Sequence, residues 1–412
     1  MSKRVLAISW DMPPLSGPRA VQVSRTLTQL VPLGWESTVV CFGPRSQRYQ
    51  QDPELASRLL PPSGVTLVRL PSLEERWPFR ALWRLVPPIK QLPDEKRVWI
   101  APASRVARQL AADRSFDVLV SFAQPWSDHL IGLRVHRATG LPWVAHFSDP
   151  WVDSPYLRGR RWQQRIWRRM ESDVIRHATA VVFVNSHTAD RVMQKYPDAW
   201  RAKVHVVPHG FDSASGRTAA PADAAGPLHL VHTGRFYEGI RTPEPLIRAL
   251  ATLARRRALA SDLRVTFAGT PVPAYQRLAD RLGLGGVIVF RGRVPFSESA
   301  RIAASADVVM VIDAPADNNL FLPSKLIDYL PLNKPILGLT PHTGATADLL
   351  RALDQPVVEP DDEAGIAAAI EALIERKQRG RLVVPATYQA VAAQYDSRAT
   401  TRVFADILER CA

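Results

Sequence analysis

Short apolar runs alternate with stretches of helical spacing along most of this chain, which is the pattern of a parallel α/β protein. Val5 to Ser9 (VLAIS) has charge before it and a turn after it, as a buried parallel strand requires. Apolar residues recur at helical spacing over Ala20 to Val31, Gly34 ends that helix, and Ser37 to Phe42 (STVVCF) is the next strand. Asp117 to Ser121, Pro142 to Phe147, Ala180 to Asn185 and Val204 to Val207 extend a first sheet, with a helix expected over Trp126 to Thr139. Residues 65 to 110 are less regular, with Trp77, Trp83 and Trp99 among basic residues and prolines.

The texture changes over Pro208 to Pro227, PHGFDSASGRTAAPADAAGP, which is small, polar and turn-forming and reads as a linker. Alternation then resumes. Strands are expected at Leu228 to His232, Arg264 to Ala268, Val287 to Phe290 and Val308 to Ile312, and helices over Pro243 to Arg257, Tyr275 to Leu282 and Glu298 to Ala304. Leu320 to Thr340, LFLPSKLIDYLPLNKPILGLT, places a Pro-Ser-Lys turn before a short amphipathic helix, Leu326 to Leu330, and a strand, Pro335 to Leu339. The implied domains are 1–207 and 228–390 joined by the linker 208–227. A tail, 391–412, has a helix over Ala392 to Leu408 and is expected to cross back to the first domain.

A chain of 412 residues suits two domains, and 46% hydrophobic residues supply two cores. No apolar run reaches the roughly 18 residues of a membrane span, and the N-terminus turns polar at Asp11, too soon for a secretory signal, so a cytoplasmic protein is expected. The two cysteines, Cys41 and Cys411, exclude a disulfide framework or a cysteine metal cage. A net charge of +14 implies attraction to something anionic: a phosphorylated substrate, an acidic membrane surface or nucleic acid.

Charge and chemistry meet at three places. A helix that opens at Ser324 has unpaired N–H groups at its mouth and Lys325 beside it, which makes an anion site at the edge of a parallel sheet. Gly17, in the first loop PPLSGPR, and Asp149, after the strand Pro142 to Phe147, stand at the same kind of edge. Asp149 has the alternative of capping a turn before Pro150. The loop lacks a G-x-G-x-x-G fingerprint, so no bound dinucleotide is expected. Over Arg158 to Arg176 (RGRRWQQRIWRRMESDVIR), Trp162, Ile166, Met170 and Val174 fall four apart among arginines. That helix either lies on an anionic membrane or packs its tryptophan stripe on the domain.

Several motifs together resemble one family. They are GR-x5-R at Gly234 to Arg241, a strand followed by GT at Ala268 to Thr270, F-x-G-x-V at Phe290 to Val294, AD-V at Ala306 to Val308 and PSKLIDYLPLNKP at Pro323 to Pro335. PPLSGPR, HFSDPW and VVPHGFD add a looser match in the first half. The chain is similar to the GT-B glycosyltransferases, and within them to the family 4 retaining enzymes of the branch with a P-S-K-L turn. The resemblance implies an α/β fold of two Rossmann-like β/α/β domains facing a central cleft. It also implies sugar transfer from a nucleotide diphosphate, UDP or GDP, to an envelope lipid, polysaccharide or secondary-metabolite acceptor.

By the same resemblance Arg235 and Arg241 grip the diphosphate, with Arg241 where a Lys is usual. Gly17, Gly234, Ser324, Lys325 and Leu326 border the donor phosphates, and Val294 meets the base through its backbone. Asp149 stands beside the acceptor, with Arg19 and His129 as further acceptor-side candidates. Asp328 takes the second place of the family's E-x7-E pair and orients the ribose. Leu320 occupies the first place, which leaves Asp313 or Asp317 to substitute for the missing acid. No cofactor, metal or nucleic-acid partner is expected, and an anionic membrane contact through Arg158 to Arg176 is. The competing functions are a sugar-nucleotide 2-epimerase of the same fold and a non-catalytic nucleotide-sugar-binding protein.

Overall fold

The computed structural model describes residues 2–45, 49–61, 63–73, 91–212, 226–269 and 272–412. Trp77, Trp83, Thr270 and most of the expected linker lie outside them. The chain divides into two compact units, Met1–Gly210 with Ser397–Ala412, and Phe211–Asp396.

The first unit is a seven-stranded sheet of order β3-β2-β1-β4-β5-β6-β7, parallel throughout. Its strands are β1 (Lys3–Ile8), β2 (Trp35–Phe42), β3 (Val65–Leu70), β4 (Val118–Ala123), β5 (Trp143–Phe147), β6 (Ala180–Phe183) and β7 (Val204–Val206). β3 falls in the stretch that reads as irregular. It is an edge strand and only partly buried, so it lacks the continuous apolar run that marks its neighbours.

One face of this sheet is covered by the helices Ile100–Asp113, Ser127–Thr139 and Arg161–His177, around buried Trp99, Trp143, Trp151 and Trp167. The other face packs Val23, Leu27 and Leu30 of helix Pro18–Leu30 with Phe404 and Leu408 of helix Ser397–Cys411. The tail is two helices, Tyr388–Ala393 and Ser397–Cys411, where the sequence pattern suggests one. The break has a cause: Tyr395 O accepts from Phe211 N (2.8 Å), and Asp396 pairs with Phe211 as an isolated parallel bridge.

The second unit is a six-stranded parallel sheet of order β10-β9-β8-β11-β12-β13. Its strands are β8 (Leu228–Thr233), β9 (Leu263–Ala268), β10 (Ile288–Gly292), β11 (Val308–Ile312), β12 (Ile336–Leu339) and β13 (Val357–Val358). The helix Glu363–Gln378 packs Ile366, Ile370, Leu373 and Ile374 on it. Its alanines weaken the contrast between apolar and polar faces, and the sequence reading left it unassigned. Among the described residues no helix is long and apolar enough to cross a membrane.

The tryptophan-arginine stretch forms the helix Arg161–His177, and its tryptophans part company. Trp167 is fully buried, its Nε1 donating to the Gln91 and Pro93 carbonyls, and Gly159 lies so close to its ring that a Cβ there would sit 2.4 Å away. Trp162 is 39% exposed. Trp167→Ala is therefore expected to cost about 3–5 kcal/mol, against about 0.5 kcal/mol or less for Trp162→Ala. Urea unfolding of the two variants checks this, and equal costs would contradict the assignment.

Candidate functional site

In the second unit the chemistry gathers where β8 ends. Thr233 N donates to Tyr329 Oη (2.8 Å), and the Thr233 hydroxyl lies 3.0 Å from the same oxygen. Tyr329 is the last residue of the helix Ser324–Tyr329, so the P-S-K-L helix and the turn after β8 are tied directly. That helix starts two residues before the expected Leu326. Pro323 takes the capping position, Ser324 is the first helical residue, and no side chain caps the end. Leu326 also leaves the candidate set: its side chain is fully buried and its amide donates to Pro323 O (3.0 Å). Lys325 Nζ lies 3.8 Å from Asp328 Oδ2, and the two residues line one recess with Thr233, Phe296 and Tyr329.

The GR-x5-R spacing acquires a physical reason. Tyr237 N donates to Arg241 O (2.9 Å) and Arg241 N to Tyr237 O (2.8 Å), which closes a tight turn with Gly239 at φ 72. The closure brings Arg241 back to Arg235: its guanidinium donates to the Arg235 carbonyl and stacks 5.0 Å over the Tyr237 ring. Arg235 points to solvent. Two cations six residues apart thus issue from one small backbone turn.

Asp313, at the end of β11, is buried and accepts from Asn319 Nδ2 (2.7 Å) and Thr340 Oγ1 (2.9 Å). Burial pushes its carboxyl up, while those bonds and the Arg241 charge pull it down. Of the two substitutes for the missing acid, Asp313 feels the charge of the arginine turn and Asp317 is exposed. His232 was not anticipated. Its Nδ1 donates to Met310 O (3.0 Å), burial drives its pKa down to about 3, and Nε2 is left a buried acceptor without a partner. Gly234 presses on that nitrogen, where a Cβ would approach to 2.6 Å. Its glycine is therefore required by the protein itself.

A concavity opens at the ends of β8, β9 and β10, between the Phe236, Phe267, Tyr275 and Phe290 rings and the backbone of Gly234, Gly269 and Gly292. Flat rings and bare backbone suit a planar heterocycle. Val294, two residues beyond Gly292, is half-buried.

In the first unit the buried cation Arg19 organises the ends of β1, β4 and β5. Its guanidinium donates to His146 Nδ1 (3.2 Å) and His146 O (3.4 Å), and burial lowers its pKa only to about 10, so it stays charged. Its charge is felt by Asp149, Asp128 and Asp11. Asp149 accepts from Gln124 Nε2 (3.1 Å), and burial raises its carboxyl against the pull of Arg19. Its loop is held from behind, where buried Glu171 accepts from Val152 N (2.9 Å) and Tyr196 Oη (2.7 Å), and Lys195 bridges Glu171 and Asp153.

Asp128 is fully buried, accepts from Trp10 N (2.7 Å), and is held well above the usual carboxylate range by burial. Asp11 is pushed up to about 6 by burial, against the attraction of Lys96 and Arg19. Sequence reasoning named Arg19 and Asp149 and missed Asp11, Asp128 and His146. The strand-end argument that found Asp149 would also have found Asp11. Asp128 reads as an ordinary first-turn acid of a helix.

His129 is corrected as an acceptor-side residue. It is fully buried, with Nδ1 2.8 Å from Ser121 Oγ and its ring 4.3 Å from that of Phe147, so it belongs to the core. Gly17 precedes the helix Pro18–Leu30 at φ −69, and a Cβ there would meet nothing within 4 Å, so its backbone faces open space. Among the described residues no three His, Cys, Asp or Glu side chains gather as a metal ion would need.

Two family profiles match, glycosyl transferase 4-like domain over residues 19–210 and glycosyl transferases group 1 over residues 227–376. No curated protein sequence matches the chain. Among solved structures it is similar to Alr3699/HepE of Anabaena in complex with UDP, at 17% identity and TM-score 0.68 over 100% of both chains. It is also similar to WaaG, a glycosyltransferase involved in lipopolysaccharide biosynthesis, at 14% identity and TM-score 0.62 over 98% of this chain and 99% of that one. A trehalose-6-phosphate protein of E. coli bound with UDP-2-fluoro glucose matches at 12% identity and TM-score 0.64 over 100% of both chains. At these identities the likeness concerns the fold.

The Asp11 carboxyl moves from 3.8 unfolded to about 6 folded, so the unfolded chain releases this proton first as pH rises. The fold is at full strength below the unfolded value, loses stability through the interval, and stays weaker above about 6. Asp11→Asn should therefore raise the Tm relative to the parent by an amount that grows between about pH 4 and about pH 6 and is level above that. A gain that is constant over pH would show that Asp11 titrates normally.

Proposed function

The chain belongs to the glycosyltransferases of the GT-B fold, and from that membership we propose that it transfers a sugar from a nucleotide diphosphate with retention of anomeric configuration. The acceptor is an envelope lipid, a polysaccharide or a secondary metabolite. The observation that carries the reading is the turn that delivers Arg235 and Arg241 together, beside the aromatic recess and the Lys325–Asp328 helix. Leaving-group departure places negative charge on the diphosphate. Cations fixed by backbone bonds stabilise that charge most when it is fullest, in the transition state.

The donor is drawn as a UDP or GDP sugar, with UDP favoured by what HepE and the E. coli protein hold. Its base lies on the Phe236 and Phe290 rings with Val294 alongside, and Asp328 takes the ribose hydroxyls. The departing phosphate removes the acceptor proton on the same face of the sugar, and Asp149, kept in place by Gln124 and Arg19, orients the acceptor hydroxyl. Arg235, Arg241 and Lys325 neutralise charge without a metal ion. The reaction is placed on the cytoplasmic side, where nucleotide sugars are made. A sugar-nucleotide 2-epimerase is the second reading. It is favoured by the acids and histidine around Arg19, residue types that the sequence reading could not locate.

Turnover of candidate UDP and GDP sugars, followed by proton NMR of the sugar product, tests this reading. A product with the donor's anomeric configuration is expected, and Arg235→Ala should lower kcat/KM by about 10²–10³. An inverted product overturns retention, a 2-epimer supports the second reading, and tight donor binding without turnover makes the protein a binder.

A further inference from the structure

The helices Ile100–Asp113, Ser127–Thr139 and Arg161–His177 lie on one face of the first unit's sheet, and their outward sides are lined with arginine. Arg105 and Arg108 of the first helix and Arg134 and Arg137 of the second line a shared groove, all four exposed. The third helix exposes Arg161, Arg165, Arg168, Arg169 and Arg176. Acidic residues do not balance them. Asp128 and Glu171 are buried inward, Asp173 is half-buried, and Asp113 ends the first helix. Arg137 meets His177 (3.3 Å) and Arg108 its own helix's Ser104 carbonyl (3.3 Å), but among the described residues none of these arginines pairs with a carboxylate.

Among the described residues the exposed aromatic rings of this face stand at one end. Tyr156 is 40% and Trp162 39% exposed, and both belong to the stretch between β5 and the body of the third helix. That stretch leaves the sheet at the edge that carries Asp149. Trp167 and Val174 are buried, so the helix cannot roll to present a deeper apolar stripe.

We propose that this three-helix arginine face docks the protein on an anionic lipid bilayer, with Tyr156 and Trp162 entering the headgroup boundary. A broad array of exposed guanidiniums matches a plane of phosphate headgroups, and each arginine near such a surface adds attraction that salt screens. Aromatic rings at one end suit the interface between headgroup and acyl chain. Nucleic acid fits less well, because stacking on bases needs aromatics interleaved with the cations, and here they stand apart. Since only two rings enter, the charges dominate. Docking therefore requires anionic lipid, and a membrane-held acceptor would be presented at the Asp149 edge. That last consequence rests on the transferase reading, whereas docking itself does not.

The test is flotation of the full-length protein with vesicles of phosphatidylcholine alone, or with about 30 mol % phosphatidylglycerol. Binding to the anionic vesicles only is expected, with loss at high salt. Arg165→Glu/Arg168→Glu/Arg169→Glu should weaken it on the order of a hundredfold. Arg134→Glu/Arg137→Glu should weaken it on the order of tenfold or more, and Trp162→Ala severalfold, with thermal unfolding and UDP binding unchanged. Equal binding to both vesicle types overturns the proposal, as does displacement by millimolar inorganic phosphate. Preferential capture by duplex DNA that the same arginine variants abolish also overturns it. UDP binding is read on the same samples, so failure to dock and failure to bind donor are separate results.

Discussion

The second unit depends on a place where the backbone has no room for a side chain. A Cβ on Gly269 would lie 1.7 Å from the Gly234 carbonyl oxygen, and Gly234 N donates to Ala268 O while Gly269 N donates to Gly292 O, each at 2.9 Å. The ends of β8, β9 and β10 are thereby drawn together. Tyr329 adds a fourth tie by accepting the Thr233 amide. The arginine turn, the aromatic recess and the P-S-K-L helix all start from this knot. Their spacing is set by main-chain hydrogen bonds, which suits a site that must hold cations fixed while charge develops on a ligand.

The first unit solves a different problem. Asp128 is fully buried at one sheet edge with Asp11, Asp94 and Asp149 half-buried around it, and isolated buried charges are costly. Two cations, Arg19 and Lys96, and backbone or amide donors to Asp128, Asp94 and Asp149 make the arrangement tolerable. The remaining strain appears as raised carboxyl pKa values, most measurably at Asp11.

Much of this was legible in the sequence, and the reasons are specific. Buried parallel strands announce themselves as short apolar runs, so both sheets could be read except at the edge strands β3 and β13, where half-burial removes the signal. Gly234, Arg235, Arg241, Lys325 and Asp328 could be grouped from the sequence because local motifs carry them, and local motifs survive as local geometry. His232, Asp11 and Asp128 could not be ranked. Their distinctive feature is what surrounds them, and neighbours such as Met310 or Trp10 are far away along the chain. His129 was misplaced for the same reason, since periodicity does not say which helical histidine faces Ser121. Leu326 was misread because a turn that includes Pro323 already uses its amide.

The central claim is that the turn after β8 binds a nucleotide through its diphosphate. Isothermal titration of the purified chain with uridine, UMP and UDP, repeated with Arg235→Ala, addresses it most directly. Affinity is expected to rise with each phosphate, with the largest gain at the second, and the alanine variant to lose this gain while uridine binding is unchanged. Equal affinity for uridine and UDP, or an alanine variant that binds UDP as well as the parent, would contradict it.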